Sequence, residues 1–252
     1  TYHVHSGGHY LPDGAQLWQL TDDATYASRS PVGSSIVCTL RLGISQLLAR
    51  LPSRPRARAE GRSGVAAPAA ADPLSSDYAW HSISRHAPKD AVLLEEAPSH
   101  RNALHEFFPV TASSGFYACA SGGLGWALPA AVGVALGEPT RKVICVVGDG
   151  SSLYSIQGLW SAVREKLPIA FVILNNSGYG ALKSFGRMLQ IPGAPGHEVP
   201  GVDFVAVAQG FGCKAVRAAT TRELDLALQH AFAANEPYLV DACLDDGEIK
   251  LY

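Results

Sequence analysis

Two short runs carry the residues best suited to chemistry. Gly148-Asp149-Gly150-Ser151-Ser152 follows an apolar stretch at 143–147, and Asn175-Asn176-Ser177-Gly178-Tyr179-Gly180 follows another at 169–174. Glycines around Asp149 permit a tight turn and close approach by a ligand. Ser151 and Ser152 are good helix caps. Free N–H groups and the helix dipole at such a turn favour a phosphate. The Asp149 carboxylate would repel that phosphate unless a cation lies between them. A hard divalent ion, held by oxygen ligands and bridging to phosphate oxygens, resolves the conflict. Asn176 adds an amide oxygen and Gly178 a backbone carbonyl, so the three make half an octahedron. Either run alone reads as a plain turn or strand cap. Both together, after successive buried strands with one helix between, point to a metal–phosphate site.

Such a site needs a frame. The continuous apolar runs at 143–147 and 169–174 predict strands buried on both faces of a parallel sheet. Shorter strands are expected at 91–94 and 238–243, and helices at 123–136, 151–166, 204–211 and 222–233. Strand and helix alternating at this pace predict an α/β fold, a doubly wound parallel sheet with helices on both faces. Ligands of such sheets bind at the carboxyl ends of the strands, where both runs lie. Ahead of this block, residues 1–52 show strand candidates at 16–20 and 36–38 and helical spacing at 42–51. Residues 53–75, rich in Arg, Ala, Pro and Gly, read as an exposed linker whose arginines are solvated. The expected organisation is therefore 1–52, a linker at 53–75, and a main domain at 76–252.

Composition narrows the class. Of 252 residues, 47% are hydrophobic and 17% charged, which is globular. Lys and Arg total 20 against 22 Asp and Glu, a net charge of −2 that argues against nucleic-acid binding. No apolar run reaches the roughly 20 residues of a membrane helix. The five cysteines are widely spaced without a CxxC pair, so reduced, mostly buried thiols and a cytoplasmic location are expected. The chain opens at Thr1 without Met and reads as a piece of a longer protein.

Gly148-Asp149-Gly150 followed by Asn175-Asn176 is similar to the thiamine diphosphate binding motif. With Gly122-Gly123-Leu124-Gly125-Trp126-Ala127-Leu128-Pro129 and Val199-Pro200-Gly201-Val202-Asp203-Phe204, the chain resembles the thiamine diphosphate-dependent 2-oxo acid decarboxylases, most of all the benzoylformate decarboxylases. The resemblance implies that Asp149, Asn176 and the Gly178 carbonyl ligate Mg²⁺ or Ca²⁺. Gly150, Ser151 and Ser99 would bind the diphosphate, with Tyr179 beside them. Leu124 would be the wedge that keeps the cofactor bent, and the Gly122 carbonyl would accept from its aminopyrimidine. His3 matches an active-site histidine able to carry protons near its ordinary pKa of about 6.5. Ala181 and Phe185 match substrate-pocket residues. Two positions depart from the pattern: Ala118 stands where the family has a phenylalanine near the pocket, and Pro98 replaces a hydroxyl residue near the diphosphate.

The implied reaction is the non-oxidative decarboxylation of a benzoylformate-like 2-oxo acid to an aldehyde and CO₂. The family builds its site with a second, pyrimidine-binding domain that brings a glutamate. Residues 1–52 resemble the tail of the middle domain, and Glu95 and Glu96 lie on the wrong domain to supply that glutamate. The chain alone is therefore expected to be inactive, needing an upstream segment or second chain, in a homotetramer built of dimers. Two other readings stay open: an acetolactate synthase-like carboligase joining two oxo acids, and a non-catalytic phosphate- or nucleotide-binding module.

Overall fold

The protein, as a computed structural model, is described for residues 11–52, 65–111, 113–191, 193 and 195–245. It divides into two compact units, 1–61 and 62–252. In the first, β1 (Trp18–Thr21) and β2 (Ser34–Val37) pair in parallel, with α1 (Ala24–Ser28) between them and α2 (Leu40–Arg50) after them. Asp23 caps α1 by accepting from the N–H groups of Thr25 and Tyr26. None of the buried core residues lies in this block; Leu42, Leu47 and Leu48 are all exposed.

The second unit carries the sheet. Helix α3 (Ser76–His86) leads into β3 (Val92–Glu96), a short 3-10 turn (Pro98–His100), α4 (Arg101–Phe107) and β4 (Phe116–Ala118). Then come α5 (Ala127–Gly137), β5 (Val143–Gly148), α6 (Asp149–Ser152), α7 (Gly158–Arg164), β6 (Ile169–Asn175) and α8 (Gly180–Met188). The chain closes through α9 (Phe204–Gly210), β7 (Lys214–Ala218), α10 (Thr221–Ala233) and β8 (Tyr238–Cys243). The six strands run in the order β4-β3-β5-β6-β8-β7, and every neighbouring pair is parallel. This is the doubly wound sheet expected from the sequence.

Side chains alternate across the strands and sort the core into two layers. Leu93, Ile144, Val146, Val172 and Val240 face α3, α4 and α10. Leu94, Cys145, Val147, Phe171 and Leu239 face α5, α7 and α9. With both faces covered, β5 and β6 have no polar side to show, which is why their sequences are unbroken apolar runs. The chain leaves β3 toward α4 on one face and leaves β5 toward α7 on the other. The crevice between those two strand tips is thus the topological switch point, where open α/β sheets bind ligands.

The structure departs from the sequence reading where local signals are weak. The helix expected at 123–136 begins at Ala127, because Gly122 and Gly125 adopt positive φ of 68° and 90°. The helix expected at 151–166 is two, α6 and α7, separated by turns at 153–157. The short strands β4 and β7 and helices α3, α4 and α8 went unassigned; β4 and β7 border the sheet and lack a long apolar run. Leu74, placed at the end of the linker, is fully buried and bridges to Leu244. The thiols are less buried than expected: all five are unpaired, but only Cys145 and Cys213 are buried. No described helix is long and apolar enough to cross a membrane.

One clasp fixes α10 to α3. Asp225 on α10 accepts from the hydroxyls of Tyr78 and Ser82 and from Arg85, all on α3; His86 Nε2 lies 3.4 Å away. Burial would raise the pKa of Asp225, but the hydrogen bonds from Ser82, Arg85 and Tyr78 prevail and hold it below the ordinary 3.8. A carboxylate with a depressed folded-state pKa stabilises the fold above its unfolded pKa and loses that contribution as pH falls through the folded value. Asp225→Ala should therefore cost about 1–3 kcal/mol at neutral pH. In urea titrations the gap to the unaltered protein should narrow as the pH drops below 3.8; a constant gap would refute the clasp as a source of acid sensitivity.

Candidate functional site

The carboxyl tips of β5 and β6 are adjacent, since Gly148 pairs with Leu174. Asp149 follows Gly148 directly and is 2% exposed. One carboxylate oxygen accepts from the N–H of Gly150 at 2.7 Å. The other accepts from the N–H of Gly178, also at 2.7 Å, across the gap to the β6 turn. Asp149 thus stitches the two motifs together. Asn176, 3% exposed, lies in the same β6 turn. Ser177, just after it, adopts a left-handed φ of 55°, held as its N–H donates to Asn175 Oδ1. Gly178 is obligatory for space, because a Cβ there would lie 2.5 Å from the His197 carbonyl oxygen.

Gly150 has a partner of its own. A Cβ at this position would run into the ring of Tyr179, and the Tyr179 hydroxyl donates to the Gly150 carbonyl at 3.3 Å. Ser151 is buried at the start of α6, and the Ser152 hydroxyl donates to the Asp149 carbonyl at 2.7 Å. Ser99, in the turn after β3, accepts from the N–H of Ala181 at 2.9 Å. Its hydroxyl proton remains to donate toward a ligand. Pro98 opens that turn and offers no hydroxyl. The tips of β3, β5 and β6 are therefore joined by Ser99–Ala181 and Asp149–Gly178.

The electrostatics are those of a site that wants a cation. Burial pushes the pKa of Asp149 up to about 6, even though the N–H groups of Gly150 and Gly178 pull it down; the charge of Asp241 adds to the rise. No group of three His, Cys, Asp or Glu side chains among the described residues could hold a metal. The groups in these two turns that could serve are one carboxylate, the Asn176 amide oxygen and the Gly178 carbonyl, which accepts from the Gly180 N–H at 3.1 Å and keeps a second lone pair. An all-oxygen set with one charge suits Mg²⁺ or Ca²⁺ completed by phosphate and water, and not zinc. The residues present fit such an ion with a diphosphate.

Of the remaining expected residues, Ala181 is tied to the Ser99 turn by its N–H. Leu124 is half-buried and Gly122 exposed, both in the loop after β4. Ala181 and Phe185 stand four apart on α8, on one face, and both are half-buried. Ala118 is exposed at the end of β4. His3 lies outside the described residues.

Sequence reasoning missed three features. His100 is 4% exposed and neither ring nitrogen makes a hydrogen bond of good geometry. Burial lowers its pKa to about 4, with a small opposing pull from the nearby Asn176 side chain, so the ring is neutral. Asp241, fully buried on β8, accepts from Asn175 Nδ2 at 2.9 Å and from Arg217 Nε at 3.0 Å. That network holds the first asparagine of the pair. Glu96, 4% exposed at the tip of β3, accepts from the N–H groups of Gly125 and Ala127. Nothing local in the sequence marks these partners, which lie far along the chain.

Residues 97–242 match the thiamine pyrophosphate enzyme family in its C-terminal TPP binding domain. Benzoylformate decarboxylase of Pseudomonas aeruginosa is 42% identical over 243 residues, which cover 95% of this chain and 46% of that protein. A solved structure, the thiamine diphosphate-dependent 4-hydroxybenzoylformate decarboxylase of Rhodococcus jostii RHA1, aligns with a TM-score of 0.86 at 36% identity, over 96% of this chain and 46% of the other. The large subunit of acetolactate synthase isozyme 1 from Escherichia coli is 28% identical over 189 residues, 73% of this chain and 33% of that protein. The chain spans less than half the length of these relatives.

The packing of Tyr179 on Gly150 is open to a direct check. Gly150→Ala should destabilise the fold by about 1–3 kcal/mol through overpacking. Tyr179→Ala in the same chain should recover most of that loss, so that a double-mutant cycle in urea gives a large coupling. Additive effects would mean that the ring does not set the glycine requirement.

Proposed function

The chain belongs to the thiamine pyrophosphate enzymes, through their C-terminal cofactor-binding domain, and from that premise we propose that it is the diphosphate-binding part of a 2-oxo acid decarboxylase that converts a benzoylformate-like acid to an aldehyde and CO₂. The observation that carries the reading is the buried Asp149 carboxylate, which spans the turns after β5 and β6 and, among the described residues, pairs with no lysine, arginine or histidine. Likeness to two decarboxylases of aryl 2-oxo acids supports the substrate class.

In this reading Asp149, Asn176 and the Gly178 carbonyl hold Mg²⁺ or Ca²⁺. The N–H of Gly150, the hydroxyls of Ser151 and Ser99, and the positive end of α6 take the diphosphate, with Tyr179 alongside. When bound, thiamine diphosphate supplies the carbon nucleophile and the electron sink that decarboxylation needs. The protein's part is orientation and exclusion of water. Leu124 would support the cofactor between its rings, and the Gly122 carbonyl would accept from its amino group. Ala181 and Phe185 line an apolar wall, which favours passage from a charged acid to a neutral product. His3 carries a proton to or from the reacting centre. Residues 1–52 serve as the end of a middle domain. A pyrimidine-binding domain bearing the activating glutamate, from an adjoining segment or a second chain, completes the site in a homotetramer, and without it the chain does not turn over.

A carboligase is the second reading, supported by the likeness to acetolactate synthase and by Ala118, which leaves the pocket without the family's phenylalanine. Calorimetry and product analysis separate the readings. Thiamine diphosphate should bind with Mg²⁺ and not with EDTA, and Asp149→Ala should weaken binding by about 100-fold. With its pyrimidine domain present, the enzyme should turn benzoylformate into benzaldehyde. Acetolactate from pyruvate with benzoylformate untouched would favour the carboligase. Metal-independent binding would leave only a phosphate-binding module.

A further inference from the structure

Glu96 is a carboxylate in an unusual place. It ends β3 at 4% exposure, and among the described residues no lysine, arginine or histidine pairs with it. Its neighbour Glu95, fully buried, pairs with Arg101 at 2.9 Å. Glu96 instead meets backbone alone: Oε1 accepts from the N–H of Gly125 and Oε2 from the N–H of Ala127, each at 2.6 Å. These are short, charge-assisted bonds. Ala127 is the first residue of α5, and that helix has no side-chain cap of its own at Trp126. Glu96 therefore caps α5 from another strand, where the helix dipole favours a negative charge.

The bonds grip the far end of the loop that carries Gly122 and Leu124. Gly125 sits at φ 90°, and a Cβ there would lie 2.7 Å from that of Tyr154. The loop end is thus pinned from one side by Glu96 and packed from the other by Tyr154. Ser99, which follows Glu96 by three residues, reaches the α8 side through Ala181. One strand tip consequently sets both the loop of Leu124 and a hydroxyl of the diphosphate cradle.

We propose that Glu96 is a positioning residue that latches the Gly122–Gly125 loop so that Leu124 and the Gly122 carbonyl meet the ring portion of the cofactor. The inference rests on the thiamine diphosphate reading above. It places Glu96 outside the grip on the diphosphate itself, so its loss should be felt by the whole cofactor and not by its tail.

The test compares two ligands, thiamine diphosphate and inorganic diphosphate, each with Mg²⁺, by calorimetry on the protein with its pyrimidine-binding domain present, unaltered or carrying Glu96→Gln or Glu96→Asp. Gln keeps the shape but turns an N–H₂ toward a backbone donor; Asp is too short to reach both N–H groups. Either variant should weaken thiamine diphosphate by about tenfold or more while inorganic diphosphate stays within about twofold. Equal losses for both ligands would reduce Glu96 to general support of the fold, and no loss for either would remove it from the site; each overturns the proposal. Should Glu96→Gln melt too low to assay, Glu96→Asp alone gives the same comparison. An unaltered protein that binds thiamine diphosphate no better than inorganic diphosphate would instead sink the cofactor reading, whatever the variants do.

Discussion

A carboxylate held away from water at the end of a central strand is costly unless something opposite in charge arrives. Asp149 is that group. Two backbone N–H groups, from Gly150 and Gly178, partly satisfy it, and burial still drives its pKa to about 6. The arrangement is stable enough to form and poor enough to welcome a cation. It also bridges the β5 and β6 turns, so that the same side chain that would suit a cation holds the two turns together. The glycines follow from this closeness: Gly150 gives way to the Tyr179 ring and Gly178 to the His197 carbonyl.

Besides Glu95, which pairs with Arg101, three buried acids lie at or near the carboxyl ends of strands, and each has a different counterpart. Asp241 on β8 has Arg217 and Asn175. Glu96 on β3 has the N-terminal amides of α5. Asp149 has, among the described residues, backbone amides from two tight turns and no cationic side chain. The contrast explains why only one of them is a sensible metal ligand. The other two hold the frame: Asp241 fixes the Asn175 side chain, and Glu96 fixes the start of α5. Parallel strands make this possible, since every tip points to one edge and polar groups remote in sequence converge there.

Much of the frame could be read from the chain. The runs at 143–147 and 169–174 announced strands buried on both sides, and Gly148-Asp149-Gly150 and Asn175-Asn176 marked their tips. Those signals survive because they are local: a strand covered on two faces has to be apolar throughout, and a tight turn needs its glycine whatever lies elsewhere. Strands β4 and β7 escaped notice for the converse reason. Each borders the sheet, each is short, and neither has a pattern distinct from a loop. The helix at 123–136 was begun too early because small apolar residues read as helical, while Gly125 turns with a left-handed φ and lies where Tyr154 leaves no room for a Cβ, a neighbour that no local pattern announces.

By itself, then, the sequence determined the alternation of strand and helix, the two turns at its centre, and a set of oxygen donors that suits a hard divalent ion. What only the tertiary structure decided is which groups meet across the chain: Asp149 with the Gly178 amide, Ser99 with Ala181, and Glu96 with Gly125 and Ala127. Local propensity acts over a few residues, whereas each of these bonds spans about thirty to eighty positions and exists only once the strand order has been fixed by packing on both faces. A glutamate beside another glutamate looks like solvated charge in one dimension; in three it is the cap of a helix it never touches in sequence.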